Sequence, residues 1–182
     1  PNNPMCIHFE LVSRRHARAL LQFECASRGF FERYIAARPA EFYSEAGVHA
    51  HIESMLTLSQ QKHGQFYLAF RAGEIVARAN LNKIIGGDAE IGYRVSEQAV
   101  GHGIGSACVG YLVEAASGLG LQTMSAIVMS NNRASEHVLR KHRFEWVQSQ
   151  PNAYQHQGKS LHGFVYALSS VSYTHLRAHE TS

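Results

Sequence analysis

From Val100 the chain reads "VGHGIGSACVGYLVEAA", the stretch that most restricts what it can fold into. Gly101, Gly103 and Gly105 alternate. Ile104, Ala107, Cys108, Tyr111, Leu112 and Ala115 then recur at helical intervals, while "AEIGYRV" just upstream reads as a strand. A strand that empties into a glycine-rich turn opening a helix gathers several backbone N–H groups at the positive end of the helix dipole. Missing side chains at the three glycines let a pyrophosphate approach those groups, although a merely flexible turn is the rival reading. A Walker loop is excluded because it ends in Gly-Lys-Ser/Thr and this one ends "GIGS". A dinucleotide fingerprint tolerates Gly101, Gly103 and Ser106, but expects an acidic residue about 20 positions on, where "MSAIV" has none.

The flanking patterns add strands and helices rather than a purely parallel sheet. "IHFELV" reads as a first strand. In the helical stretch that follows, Leu20, Leu21, Glu24 and Phe31 share a spacing. Ser44 is placed to cap a further helix faced by Val48, Ile52, Met55, Leu56 and Ser59, and Gly64 to end it. "QFYLAF" and "EIVARANLN" form a hairpin around "RAGE", with Gly73 free to take positive φ. "LQTMSAIVM" reads as a strand, "NRASEHVLRKH" as a short helix capped by Asn131 or Asn132, and "FEWVQ" and "HGFVYAL" as closing strands.

At 182 residues the chain suits one domain. Lys plus Arg number 17 against 14 Asp plus Glu, too small an excess to indicate nucleic acid. No apolar run reaches the length of a membrane span and "PNNPMCIHFE" has no secretory pattern, so the expectation is a cytoplasmic protein with no membrane partner. Three separated cysteines indicate neither a disulfide framework nor a zinc ribbon, and His49 and His51 fall on different faces of one helix, so no metal is expected. Pro1 ahead of Met5 suggests an N-terminal fragment or a few non-native residues. "SVSYTHLRAHETS", Ser170 to Ser182, has neither strand nor helix pattern and resembles read-through of a sequencing adapter. The domain is therefore assigned to residues 1–169 and the tail 170–182 is set aside as non-native.

Two stretches, "AEIGYRVSEQAVGHGIGSA" and "SNNRASEHVLRKHRF", make the chain similar to the GNAT superfamily of N-acetyltransferases. The resemblance spans roughly residues 7–168. "NxxS" at Asn132 and Ser135, with "FYLAF" and "ANLN" upstream, looks closest to the branch acetylating ribosomal-protein N-termini. It implies an α+β fold: a central mixed, mostly antiparallel sheet, splayed between its fourth and fifth strands and flanked by helices on both faces. Acetyl-CoA is implied as co-substrate in the gap, its pantetheine arm against the backbone of Tyr93, Arg94 and Val95. Its pyrophosphate falls on Gly101, His102, Gly103, Ile104, Gly105 and Ser106, and Asn132 contacts it or caps the helix. Val100 stands where the family has Gln or Arg, Leu139 where many members have an acid tyrosine, and Arg143 where glycine is common.

Acetyl transfer to an amine requires a neutral amine, a polarised thioester and a proton for the leaving thiolate. The resemblance assigns Glu90, five residues before Val95, to the base, against a rival role as a structural carboxylate. It assigns Ser135 to the acid, against an ordinary first-turn hydrogen bond, and holds Tyr154 in reserve on the loop before the last strand. Glu24, Arg28 and Phe31 fall where the family forms its acceptor groove, or else make an intrahelical ion pair and a core aromatic. The implied acceptor is a peptide or ribosomal-protein N-terminal α-amine, and the enzyme a monomer or homodimer. The alternatives are acetylation of a small amine such as an amino sugar, antibiotic or polyamine, and a non-catalytic acyl-CoA-binding module.

Overall fold

A two-residue turn sets the register of the sheet. Ala72 (φ 51°) and Gly73 (φ 80°) are both left-handed, the combination that matches the twist of a tight hairpin. They join β2 (Gln65–Arg71) to β3 (Glu74–Ile85). A computed structural model describes residues 6–169; the expected tail after Ser169 lies outside the described residues. β1 (Ile7–Leu11) pairs with β2, and β4 (Asp88–Val95) with β3, both antiparallel. β5 (Thr123–Met129) joins β4 in parallel, β7 (Lys159–Ser169) is antiparallel to β5, and β6 (Glu145–His156) forms the far edge. This is the mixed α+β sheet expected, seven strands in the order β1-β2-β3-β4-β5-β7-β6.

Helices cover both faces. α1 (Ala17–Phe31) and α2 (Glu45–Gln60) press Leu20, Phe23, Val48, Ile52 and Met55 against Phe66, Leu68 and Phe70. α3 (Ile104–Gly118) buries Ile104, Cys108, Val109 and Leu112 against Ala77, Ala79, Leu81, Ala89 and Ile91 on the opposite face. α4 (Arg133–Lys141) adds Leu139 to that cluster. Strand alternation thus divides β3 and β4 into an α3 side and an α1/α2 side. Among the described residues no helix is long and apolar enough to cross a membrane.

Two local expectations change. Ser44 caps α2 as expected, its hydroxyl accepting from the Gly47 N–H at 3.0 Å. Lys62 (φ 62°), not Gly64, takes the left-handed position after the helix. β6 runs on past "FEWVQ", so Tyr154 lies on that strand opposite Leu161 rather than on a loop. A register shift between Gln150 and Tyr154, with Asn152 at φ 57°, absorbs Pro151 without ending the strand. The end of α4 keeps a glycine-type geometry on Arg143 (φ 69°). Phe144 N–H donates to the Leu139 carbonyl and Arg143 N–H to that of Arg140, both at 3.0 Å. These bonds form a Schellman motif closed by the buried Leu139 and Phe144.

A left-handed non-glycine residue costs about 1–2 kcal/mol, and glycine returns about 0.4–1 kcal/mol to the unfolded chain's entropy. Arg143→Gly is therefore expected to stabilise the fold by about 0.5–1 kcal/mol, measured as a higher urea midpoint at unchanged slope.

Candidate functional site

β4 and β5 share only three residue pairs, Asp88 with Thr123, Ala89 with Met124 and Glu90 with Ser125. Beyond them the strands part. β3 occupies the other edge of β4 as far as Val95, and β7 the other edge of β5 as far as Met129. The backbone edges freed by the parting therefore look across a cavity of about 700 Å³, lined by Tyr93, Arg94 and Val95 on one side and Ala126 to Met129 on the other. Unpaired strand edges are templates for any extended chain of amides, and the volume is that of a small-molecule site.

At one end of this cavity stands the start of α3. Gly103 is its N-cap at φ 76°, Gly101 precedes it at φ 85°, and no side chain caps the helix. The first helical bond runs from Ala107 N–H to the Gly103 carbonyl, so the N–H groups of Gly103, Ile104, Gly105 and Ser106 have no carbonyl within the helix. A Cβ at Gly101 or Gly103 meets nothing within 4 Å, so backbone conformation rather than crowding selects glycine there. Gly105 differs: a Cβ would stand 3.2 Å from Cε2 of Tyr93, so α3 rests directly on that ring. Ile104 anchors the loop in the core, His102 is exposed, and the Ser106 hydroxyl is paired with His142 Nε2 at 2.9 Å.

The start of α4 faces the same cavity. Asn132 Oδ1 accepts from the Ser135 N–H at 3.1 Å, so Asn132 is the cap. Ser135 Oγ instead accepts a hydrogen bond of 3.2 Å from the Tyr93 hydroxyl. Burial pushes the Tyr93 pKa up, against the smaller opposing effect of Ser135. Tyr93 thus stays protonated and leaves the Ser135 proton available. Tyr154 lines the cavity from β6, its hydroxyl donating to the Ile127 carbonyl at 2.9 Å. Burial, and secondarily the charge of Glu90, raise its pKa. Glu90 stands where the strands begin to part, at the rim rather than in the lining, with Lys83 Nζ 3.4 Å from its carboxylate.

On the α1/α2 side three cross-strand pairs lie in succession: Arg78 beside Arg94, Asn80 beside Gly92, and Asn82 beside Glu90. Arg78 is buried, donating to Glu24 at 2.7 Å, to His51 Nε2 at 2.8 Å and to Met55 Sδ at 3.2 Å. The expected Glu24–Arg28 pair is not formed. Glu24 points into the protein, and Arg28 bonds Glu32 at 3.1 Å, one helical turn on. Phe31 is the expected core aromatic and also a cavity wall, with the Arg94 guanidinium 5.3 Å from its ring centre. Burial, then Arg78, lower the Arg94 pKa to about 10. Burial, then the Arg78 charge, lower that of His51 to about 3. Sequence reading missed Arg78, Asn80 and Asn82 as cavity residues. Their every-other spacing on β3 was the available signal, but it reads equally as a solvent face.

A His51 held neutral sets the sign of an acid effect. Between pH 6.5 and about 3 the unfolded chain takes up a proton that the folded chain refuses. The stability contribution is complete above pH 6.5 and falls as pH drops through that window. His51→Gln, whose amide oxygen can still accept from Arg78, is expected to flatten the decline of Tm from pH 6.5 to 4, measured against wild type.

A family model described as an acetyltransferase (GNAT) domain matches residues 7–145. No curated protein sequence gives a significant match. Among solved structures, the chain is similar to RimL, a ribosomal L7/L12 alpha-N-protein acetyltransferase in complex with coenzyme A. That match has 21% identity over 94% of this chain and 98% of that one, at a TM-score of 0.86. It is also similar to the ribosomal-protein-S5-alanine acetyltransferase from Vibrio fischeri (14% identity, 90% and 93% covered, TM-score 0.86). A third is Mycobacterium smegmatis RimJ in complex with a CoA-disulfide (17% identity, 97% and 91% covered, TM-score 0.84).

Proposed function

The chain belongs to the GNAT acetyltransferase family, and from that premise we propose that it moves the acetyl group of acetyl-CoA to the α-amine of a protein or peptide. One observation carries the reading: the free edges of β4 and β5 and the uncapped glycine start of α3 open onto a single cavity. The backbone of Tyr93, Arg94 and Val95 offers amides to the pantetheine arm. The N–H groups of Gly101 to Ser106, His102 and Ile104 among them, offer donors to the pyrophosphate, and Asn132 holds the neighbouring helix start. The bound co-substrate supplies a thioester with an electrophilic acetyl carbon. Products are an amide and a free thiol, so one proton must leave the amine and one must reach sulfur.

Glu90 takes the amine proton, directly or through a water at the rim. Ser135 Oγ, polarised by the hydrogen bond from Tyr93, gives a proton to the departing sulfur. Tyr154, committed to the Ile127 carbonyl, stands in reserve. Modest base catalysis suits an α-amine. Its pKa of about 7.7–8.0 leaves a useful neutral fraction, while a lysine near 10.4 has little. Support for a protein acceptor also comes from the two neighbours named for ribosomal proteins. A polyamine acceptor is disfavoured by Arg78 and Arg94, which line the cavity.

The deciding experiment is CoA release from acetyl-CoA against a panel of N-terminal peptides, lysine peptides and small amines, with α-amine peptides the expected acceptors. CoA binding without turnover of any amine points to a non-catalytic module. Gly103→Glu is expected to abolish acetyl-CoA binding by calorimetry, because its carboxylate competes for the pyrophosphate donors. Gly103→Ala, which imposes the backbone strain without the charge, weakens binding far less.

The two proton roles separate by pH. Glu90→Gln is expected to lower kcat/KM most where the amine is protonated and to recover toward pH 9. Ser135→Ala is expected to lower kcat by about 10- to 1,000-fold at every pH with little change in acetyl-CoA affinity. Near-wild-type rates in both variants would remove these assignments.

A further inference from the structure

The α1/α2 side of the cavity is over-supplied with positive charge. Arg78 and Arg94 are neighbours across β3 and β4, and Glu24 is the carboxylate bonded to Arg78. Arg38, whose guanidinium lies 4.3 Å from the Phe42 ring centre, lowers the pKa of both Arg78 and Arg94 and so adds to the same field. His51 is neutral. Three residues that line this space each carry a buried polar atom without a hydrogen bond among the described residues: Nη1 of Arg94, Oδ1 of Asn80 and Nε of Arg78, whose other nitrogens are paired. Buried polar groups are ordinarily paired. A donor with full charge and an acceptor two positions away in register are thus left for something that enters the cavity.

Their layout defines what fits. Along β4, Glu90, Gly92 and Arg94 share one face, with a carboxylate at one end and a guanidinium at the other. Four residues of strand separate the ends by about 13 Å. Between them Gly92 leaves the floor open, a Cβ there meeting only Asn82 Nδ2 at 3.5 Å. We propose that Arg94 receives a side-chain carboxylate of the acceptor, so that the preferred substrates are peptides with Asp or Glu as second or third residue. The amine lies toward Glu90, and Asn80 Oδ1 accepts a backbone N–H of the peptide. A free amino acid, with both charges on one carbon, is too short for this span. Each residue of extended peptide adds about 3.5 Å, and an acidic side chain supplies the remainder. The inference rests on the α-amine acceptor proposed above.

The test uses the full chain and hexapeptides with amidated C-termini, identical except for Asp, Asn or Lys at the second or third position, so that the variable side chain carries the only carboxylate. The expected kcat/KM for the better-placed Asp peptide exceeds that of its Asn counterpart by about 10- to 100-fold, the scale of a charge-assisted hydrogen bond, with Lys peptides poorest. In Arg94→Gln the Asp/Asn ratio falls to about one, and in Arg94→Lys it is partly kept. Glu90→Gln lowers all peptides while preserving the ratio. Because Arg78 and Arg94 repel, Arg94→Gln is expected to keep or raise Tm.

Calorimetry of the same peptides on CoA-loaded protein reads the preference without turnover. Equal Asp and Asn peptides in both assays, or an unchanged ratio in Arg94→Gln, overturn the inference and leave the α-amine reading standing. So does a free amino acid preferred to every hexapeptide. If acetyl-CoA binds but no peptide is either acetylated or bound, both readings fall together.

Discussion

Three residue pairs hold β4 and β5 together, and the rest of the site follows from their stopping there. A sheet that continued to pair would present no backbone to a ligand, because each amide would already be used. Parting after Glu90 and Ser125 leaves two edges whose polar groups must find other partners. The neighbouring elements are arranged around that separation. β3 and β7 keep the outer edges paired, while the Tyr93 ring supports α3 beneath Gly105 and bonds α4 through Ser135. One tyrosine thus ties a strand edge to the starts of two helices. The glycine loop and the Ser135 hydroxyl consequently share a cavity although 29 positions separate residues 106 and 135 in the chain.

The sheet also partitions the chemistry. The α3 side offers backbone to the cavity, with glycine conformations and uncapped N–H groups whose geometry is fixed by the fold. The α1/α2 side offers charged side chains held in a buried array, where Glu24 from α1 and His51 from α2 fix Arg78. A buried ion pair of this kind contributes little net stability relative to an apolar packing, but leaving one member unpaired is costly. Its value here is positional. Arg78, anchored on three sides, stays put, and its charge acts on Arg94 next to it.

The readable part of this architecture was whatever local backbone chemistry controls. Gly73, Gly101 and Gly103 sit at positive φ because the turns require it, and Ser44 and Asn132 cap because a short side-chain oxygen precedes an amphipathic run. The misread parts were decided by distant partners. Glu24 and Arg28 have the spacing of a helical pair, yet Glu24 lies on the face turned to the sheet and meets an arginine 54 positions away. The strand read as "FEWVQ" runs on to His156, because at the sheet's edge a register shift accommodates Pro151. Lys62 and Arg143 take the left-handed conformation that glycine usually supplies after a helix. Arg78, Asn80 and Asn82 alternate as a solvent face would, and only the topology shows that α1 and α2 cover it.

The same partition limits where the proposed transfer can take place. A donor held by backbone on one side and an acceptor held by charge on the other can meet only where no strand intervenes. That place is the opening between β4 and β5, since β3 pairs with β4 through Val95 and β7 with β5 through Met129. Glu90 at the rim, Ser135 on α4 and Tyr154 from β6 all border this opening, each carried by a different element. In the proposed transfer the proton leaving nitrogen and the proton reaching sulfur are handled on different sides of the bond being made, so polar groups from separate elements are needed around one gap. A fold that closed this gap would separate donor from acceptor in the proposed transfer, which is why the interruption of β-pairing matters to it.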